Sequence, residues 1–117
     1  MKRMGDGGRM GEQLAAEFLA GQGWRILARN YRYQRVEIDI VGEDRDELVF
    51  VEVKTRDSAS FGEPEESVTP GKEENIRKAA EGYCIKNQFT DRFYRFDIIA
   101  IRLRPGITVI KHLRNAF

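Results

Sequence analysis

The chain has 117 residues, 41% of them hydrophobic and 33% charged, and its 20 Lys and Arg offset 19 Asp and Glu to leave a net charge of +1. One domain with its own core is expected, and the balance excludes a disordered chain and gives no global sign of a polyanion binder. The lone cysteine, Cys84, excludes a disulfide framework and the lone histidine, His112, excludes a two-histidine zinc site, while no apolar run approaches the roughly 20 residues of a membrane span.

Residues 1–8 read as a flexible N-terminus without the apolar stretch of a secretory signal, so a cytoplasmic protein is expected. Gly11 to Gln22 reads as an amphipathic helix. Leu14, Ala15, Phe18 and Leu19 form its apolar stripe, Glu12 stands at the margin, and Gly21 and Gly23 close it. Trp24 to Tyr31 carries aromatic and branched residues suited to a strand. Val36 to Val41 alternates, with Val36, Ile38 and Ile40 expected on one face and Glu37 and Asp39 on the other. The stretch from Gly42 to Glu47 reads as a turn. Leu48 to Lys54 is the next strand, with Val49, Val51 and Val53 on one face and Leu48, Phe50, Glu52 and Lys54 on the other. Short connections join these strands into an antiparallel meander.

Thr55 to Val68 lacks an apolar period and reads as a loop, longer than most structureless connections. Thr69 then looks like an N-cap with Pro70 at the first helical position, and the helix runs to about Asn87 with Ile76, Ala79, Ala80 and Tyr83 at core spacing. Lys72 shares a face with Ile76 and reads most simply as a snorkelling lysine. Phe93 to Leu103 is a long strand, Arg104-Pro105-Gly106 a tight turn, and Ile107 to His112 the closing strand. The order helix, three strands, helix, two strands describes an α/β (α+β) domain over residues 1–117, with a mixed central sheet flanked by helices.

Chemistry, if present, falls to carboxylates and lysines, because Cys84 sits on a helix with no activating neighbours in sequence. Asp39, Glu52 and Lys54 lie on adjacent strands, and charge on strands this apolar is costly to bury unless paired or metal-bound. Two hard carboxylates with a lysine nearby suit phosphodiester hydrolysis with Mg²⁺ or Mn²⁺. Asp39 and Glu52 would hold the metal, Lys54 would stabilise the transition state, and Glu12 would assist as a further ligand or through water. The competing reading is a salt bridge on a wet strand face. Glu37 reads as a solvated partner for an arginine, and Asp97 with Arg95 as a structural ion pair.

Between Glu17 and Glu37 no acid occurs, while Arg25, Arg29, Arg32 and Arg35 alternate with Trp24, Tyr31 and Tyr33. Such a segment can track phosphates and stack bases, or simply protect a sheet edge. Arg29, Arg32, Arg35, Arg56 and Lys72 are the candidate nucleic-acid contacts.

These residues also carry a family resemblance. Gly11-Glu12, Arg29-Asn30-Tyr31-Arg32, Glu37-Ile38-Asp39-Ile40, Val49-Phe50-Val51-Glu52-Val53-Lys54, Phe61-Gly62, Arg95-Phe96-Asp97 and the terminal His112-Leu113-Arg114-Asn115-Ala116-Phe117 resemble the YraN family of small bacterial proteins. The likeness runs from about Arg9 to Phe117 and rests on the order and spacing of individually weak pieces. It implies a restriction-endonuclease-like fold with a PD-(D/E)xK core, similar in outline to archaeal Holliday-junction resolvases. Asp39 matches the strand aspartate, Glu52 and Lys54 the E-x-K pair, and Glu12 the first-helix glutamate. The first functional expectation is a metal-dependent endonuclease acting on DNA, with branched or repair intermediates as candidate substrates, and a homodimer is what the resemblance implies. Val36 stands where the family usually has glycine, so the loop entering that strand is expected to avoid positive φ. The alternative function is a non-catalytic nucleic-acid-binding or partner-docking module on the same fold.

Overall fold

Apolar side chains that alternate along one central strand organise two helices on opposite faces of a sheet. The computed structural model describes residues 6–57 and 69–117. Its elements are α1 (Asp6–Gly21), β1 (Arg25–Tyr33), β2 (Val36–Asp44), β3 (Glu47–Asp57), α2 (Pro70–Lys86), β4 (Tyr94–Arg104) and β5 (Ile107–Leu113). The strands lie in the order β1-β2-β3-β4-β5, all neighbours antiparallel except β3 and β4. Parallel neighbours need a crossover, and α2 lies within that connection. The mixed sheet flanked by helices and the leading antiparallel meander are as the sequence implies.

The two faces of β3 divide as its alternation dictates. Val49, Val51 and Val53 pack with Ala15, Ala16 and Leu19 of α1, while Leu48 and Phe50 pack with Ile76, Ala79, Ala80 and Tyr83 of α2. Helix α2 starts where its cap says it should: Thr69 is extended (φ −77°, ψ 162°), its side chain accepts a hydrogen bond from the Lys72 amide, and Pro70 follows. Pro costs nothing there because its missing N–H would be unpaired anyway.

Several boundaries move. Helix α1 begins at Asp6, so residues 6–8, expected to be flexible, are helical. Gly42 to Asp44 and Glu47 are strand, and the turn between them tightens to Arg45-Asp46, with Arg45 at φ 59°. Cross-strand pairs such as Gly42 with Val49 outweigh the turn composition there. Strand β3 continues past Lys54 to Asp57 because Thr55, Arg56 and Asp57 pair with Ile101, Arg102 and Leu103. From residue 58 to Val68 the expected loop, with the Phe61-Gly62 motif, lies outside the described residues, as do Met1 to Gly5.

The expected common face for Val36, Ile38 and Ile40 is wrong. Ile38 belongs to the α2-side core with Val36 packed against it, whereas Ile40 belongs to the α1-side core. Residues two apart on a regular strand share a face, so the backbone must turn over between them. It does so in both paired strands at once. Arg29 pairs with Ile40 and Tyr31 with Ile38, and Asn30 between them has φ 53°. Asparagine tolerates that left-handed conformation better than branched residues do. The irregularity falls at the level of Asp39.

The expectation that the loop entering β2 avoids positive φ fails at Gln34 (φ 55°), which takes the left-handed conformation the tight turn needs, while Val36 itself pairs with Tyr33 as ordinary strand. The missing family glycine is therefore accommodated without strain at Val36.

Gly11 sets the depth of α1. A methyl group there would overlap the Thr55 hydroxyl, so only glycine lets the helix sit against β3 at this point. Gly11→Ala is expected to destabilise the fold by about 1–3 kcal/mol, the usual cost of overpacking. Adding Thr55→Ala should restore most of it. Urea unfolding of the single and double variants measures both, and equal losses in the two would show that the contact is not the cause.

Candidate metal and nucleic-acid site

The β2–β3 ladder runs inward from Asp44–Glu47 to Ile40–Val51. One further step would bring Asp39 level with Glu52. Instead of continuing the ladder, Asp39 Oδ2 accepts a hydrogen bond of 2.7 Å from the Val53 amide. The side chain thus takes the place of a strand partner, which anchors the carboxylate at the backbone of the residue after Glu52. Asp39 is buried, at 2% exposure. The β2–β3 register thus brings Asp39 to the level of Glu52 and Val53.

Glu52 points to the α2 side of the sheet, between two cations. Lys54 Nζ lies 3.9 Å from its Oε1 and Lys72 Nζ 3.3 Å from its Oε2. Burial pushes the Lys54 ammonium down to about 8, and the neighbouring Lys72 and Arg56 cations act in the same direction, against the pull of Glu52. The expected snorkelling of Lys72 misses this pairing. Thr69 caps the Lys72 amide at 3.2 Å, so the motif that starts α2 also places this lysine in the first turn, beside the sheet. The cap was readable in sequence; the docking of the helix end over Glu52 was not.

Glu12 is buried to 1% exposure rather than lying at a helix margin, carried inward by the close approach at Gly11. Arg56 stands two residues beyond Lys54 on the same strand, its Nη1 donating to the Thr55 carbonyl at 3.1 Å. Arg29, Arg32 and Arg35 are not brought to this place. They belong to β1 and its turn, beyond β2 from Glu52, and Arg29 donates to Gln13 of α1 at 2.9 Å.

The donor chemistry fits a hard divalent cation. Mg²⁺ ordinarily takes one or two carboxylates and completes its shell with water, and Asp39 and Glu52 offer that pair. Among the described residues no group of three His, Cys, Asp or Glu side chains could hold an ion alone.

The expected Arg95–Asp97 ion pair is present and is the centre of a larger cluster on the α1 side of the sheet. Arg95 Nε donates to Asp97 Oδ1 at 3.0 Å, Nη1 to Glu47 at 2.7 Å and Nη2 to Asp44 at 3.0 Å. Asp97 also accepts from the Asn115 amide at 3.0 Å and meets His112 Nε2 at 2.7 Å. A carboxylate only accepts, so Nε2 carries the proton. Burial alone would raise the Asp97 carboxyl, but hydrogen bonds from His112, Arg95 and the Asn115 amide together hold it below the usual range. His112 is thus committed to Asp97, and burial pushes the Cys84 thiol up, which leaves no activated thiol nucleophile.

Among the described residues no helix is long and apolar enough to cross a membrane. A family model described as "Uncharacterised protein family UPF0102" matches residues 11–101. A UPF0102 protein of Chlorobium limicola is 54% identical over 94 residues, covering 80% of this chain and 73% of that relative. One from Syntrophomonas wolfei is 46% identical over 113 residues, covering 94% and 96%. One from Pelobacter propionicus is 44% identical, covering 100% and 97%.

Proposed function

The chain belongs to the UPF0102 family, the YraN family of the motifs above, and we propose that it is a divalent-metal-dependent endonuclease that hydrolyses phosphodiester bonds in DNA. The observation that carries the reading is the placing of Asp39 at the backbone beside Glu52, with Lys54 and Lys72 on the Glu52 carboxylate. A structural ion pair needs one cation; two lysines converging on one carboxylate leave positive charge for a phosphate.

Asp39 and Glu52 would hold Mg²⁺ or Mn²⁺, and Glu12 would act as a further carboxylate through water. When bound, the ion supplies Lewis-acid activation of a phosphoryl oxygen and of the attacking water. The chain's own groups do the rest. The Val53 amide fixes Asp39 in one orientation. Lys54 orients the water and stabilises the charge that grows on the phosphoryl oxygens. Lys72 balances Glu52 in the free protein and turns to a substrate phosphate once Glu52 is otherwise engaged. The water oxygen bonds to phosphorus as the bond to the leaving sugar oxygen breaks, giving a phosphomonoester end and a hydroxyl end.

A non-catalytic binding module is the second reading, favoured by the lack of a three-carboxylate group among the described residues. Metal dependence separates the two. Duplex, single-stranded, flapped and four-way DNA would be incubated with Mg²⁺ and Mn²⁺, beside calorimetric titration of Mn²⁺ into the parent and Glu52→Gln. Metal-dependent cutting that vanishes in Glu52→Gln is the expected result. No cutting together with no Mn²⁺ heat would assign the binding module.

A further inference from the structure

The run from His112 to Phe117 stands out in the sequence, yet the proposed chemistry uses none of it. Beyond β5 the chain turns at Asn115 (φ 52°), and two backbone amides pin it to β4. Asn115 donates to Asp97 Oδ1 at 3.0 Å, and Ala116 donates to the Phe96 carbonyl at 2.7 Å. Asp97 belongs to the cluster around Arg95, whereas the Phe96 side chain packs in the α2-side core. The segment therefore delivers Phe117 to that core, where its ring stacks on Phe96 at 5.2 Å and 25°. Phe96 stacks in turn on the buried Phe50 at 5.7 Å and 29°, so Phe117 is the outer ring of a column of three.

The same ring reaches the candidate site. Phe117, Phe50, Ile38 and Ile76 line, with Glu37 and Glu52, a narrow seam that has no room for a water molecule. The Glu52 side chain is only 10% exposed, so a charged group stands against a largely apolar wall. Such a wall offers a carboxylate no hydrogen bond, which leaves Lys54 and Lys72 as the direction its oxygens must take. Keeping water out also strengthens those ion pairs, because attraction between charges grows as the surroundings become less polar. Core packing accounts for the stacking on Phe96. It does not require the ring to close a dry seam on a carboxylate.

We propose that Phe117 is a positioning residue of the Glu52 site: its ring keeps water from one side of the Glu52 carboxylate and so holds it on Lys54 and Lys72. The inference deepens the nuclease reading, which supplies the reason for fixing Glu52 in place. The hold itself needs no metal.

The test follows the ammonium protons of Lys54 and Lys72 by NMR, on the full chain with isotope-labelled lysine, in EDTA at mildly acidic pH. An ammonium held on a carboxylate exchanges its protons with water slowly. The parent is expected to show two slowly exchanging ammonium signals that are lost in Glu52→Gln. Phe117→Ala admits water to the seam and is expected to speed their exchange about tenfold or more, since charges about 4 Å apart attract several-fold less in water than near a protein surface. Phe117→Val is a milder truncation and should give a smaller acceleration, while Phe117→Leu, which refills the seam, should keep exchange slow. Phe89→Ala removes a ring from the same core away from the seam. It should lower the melting temperature as Phe117→Ala does, yet leave the exchange near parental. Unchanged exchange in both Phe117→Ala and Phe117→Val, equal acceleration in Phe89→Ala, or a parent without Glu52-dependent signals would each overturn the role. A parent that meets these expectations but takes up no Mn²⁺ and cuts no DNA counts against the nuclease reading and leaves the positioning role standing.

Discussion

On the proposed nuclease reading, Asp39→Asn is expected to fold nearly as stably as the parent and to cut DNA about 10²–10³-fold more slowly, the usual loss on removing one preorganised electrostatic group. The asparagine carbonyl can still accept from the Val53 amide, so the strand anchor survives while the charge is lost. Asp39→Ala removes both. It leaves that amide without its buried acceptor, which costs about 1–3 kcal/mol, and it should be equally inactive. Single-turnover cleavage and urea unfolding on the two variants separate the chemical role of Asp39 from its structural one. Parental cutting by Asp39→Asn would remove it from the metal site.

The second large effect lies away from the site. Asp97→Asn is expected to destabilise the protein by about 3 kcal/mol, the lower end of the range for breaking a buried ion pair. The lower end applies because Arg95, at 7% exposure, keeps Asp44 and Glu47 as partners. The same carboxylate makes stability depend on pH. Its folded-state value lies below the ordinary 3.8, so the unfolded chain takes up the proton first. The stabilisation is complete above that ordinary value and is lost as pH falls through the lower folded one. The acid limb of a stability-against-pH curve should therefore be shallower in Asp97→Asn than in the parent. A variant that is weaker at neutral pH but keeps the full acid slope would place the acid sensitivity elsewhere.

Arg95 and Asp97 share a face by simple alternation, and that much was legible two residues apart. Asp44, Glu47 and His112 were not, because they reach the cluster through three different strand ladders. Lys72 repeats the lesson at the site. Its helical position followed from Thr69 and Pro70, yet its place on Glu52 depends on how α2 docks on the sheet.

What the sequence determined by itself is what neighbours along the chain decide: the period of two that divides β3 between two cores, the cap that begins α2, and the order of the elements. It also held Asp39, Glu52 and Lys54 as a motif, since a strand places Glu52 and Lys54 on one face whatever surrounds it. The tertiary structure alone decided the turnover at Asn30 and Asp39, the burial of Glu12 and the second lysine on Glu52. Each of these depends on register, and a slip of one residue would send every side chain of a strand to the opposite face. Register is chosen by the summed packing of both cores against α1 and α2, an energy to which residues distant in sequence contribute together and which no local pattern contains.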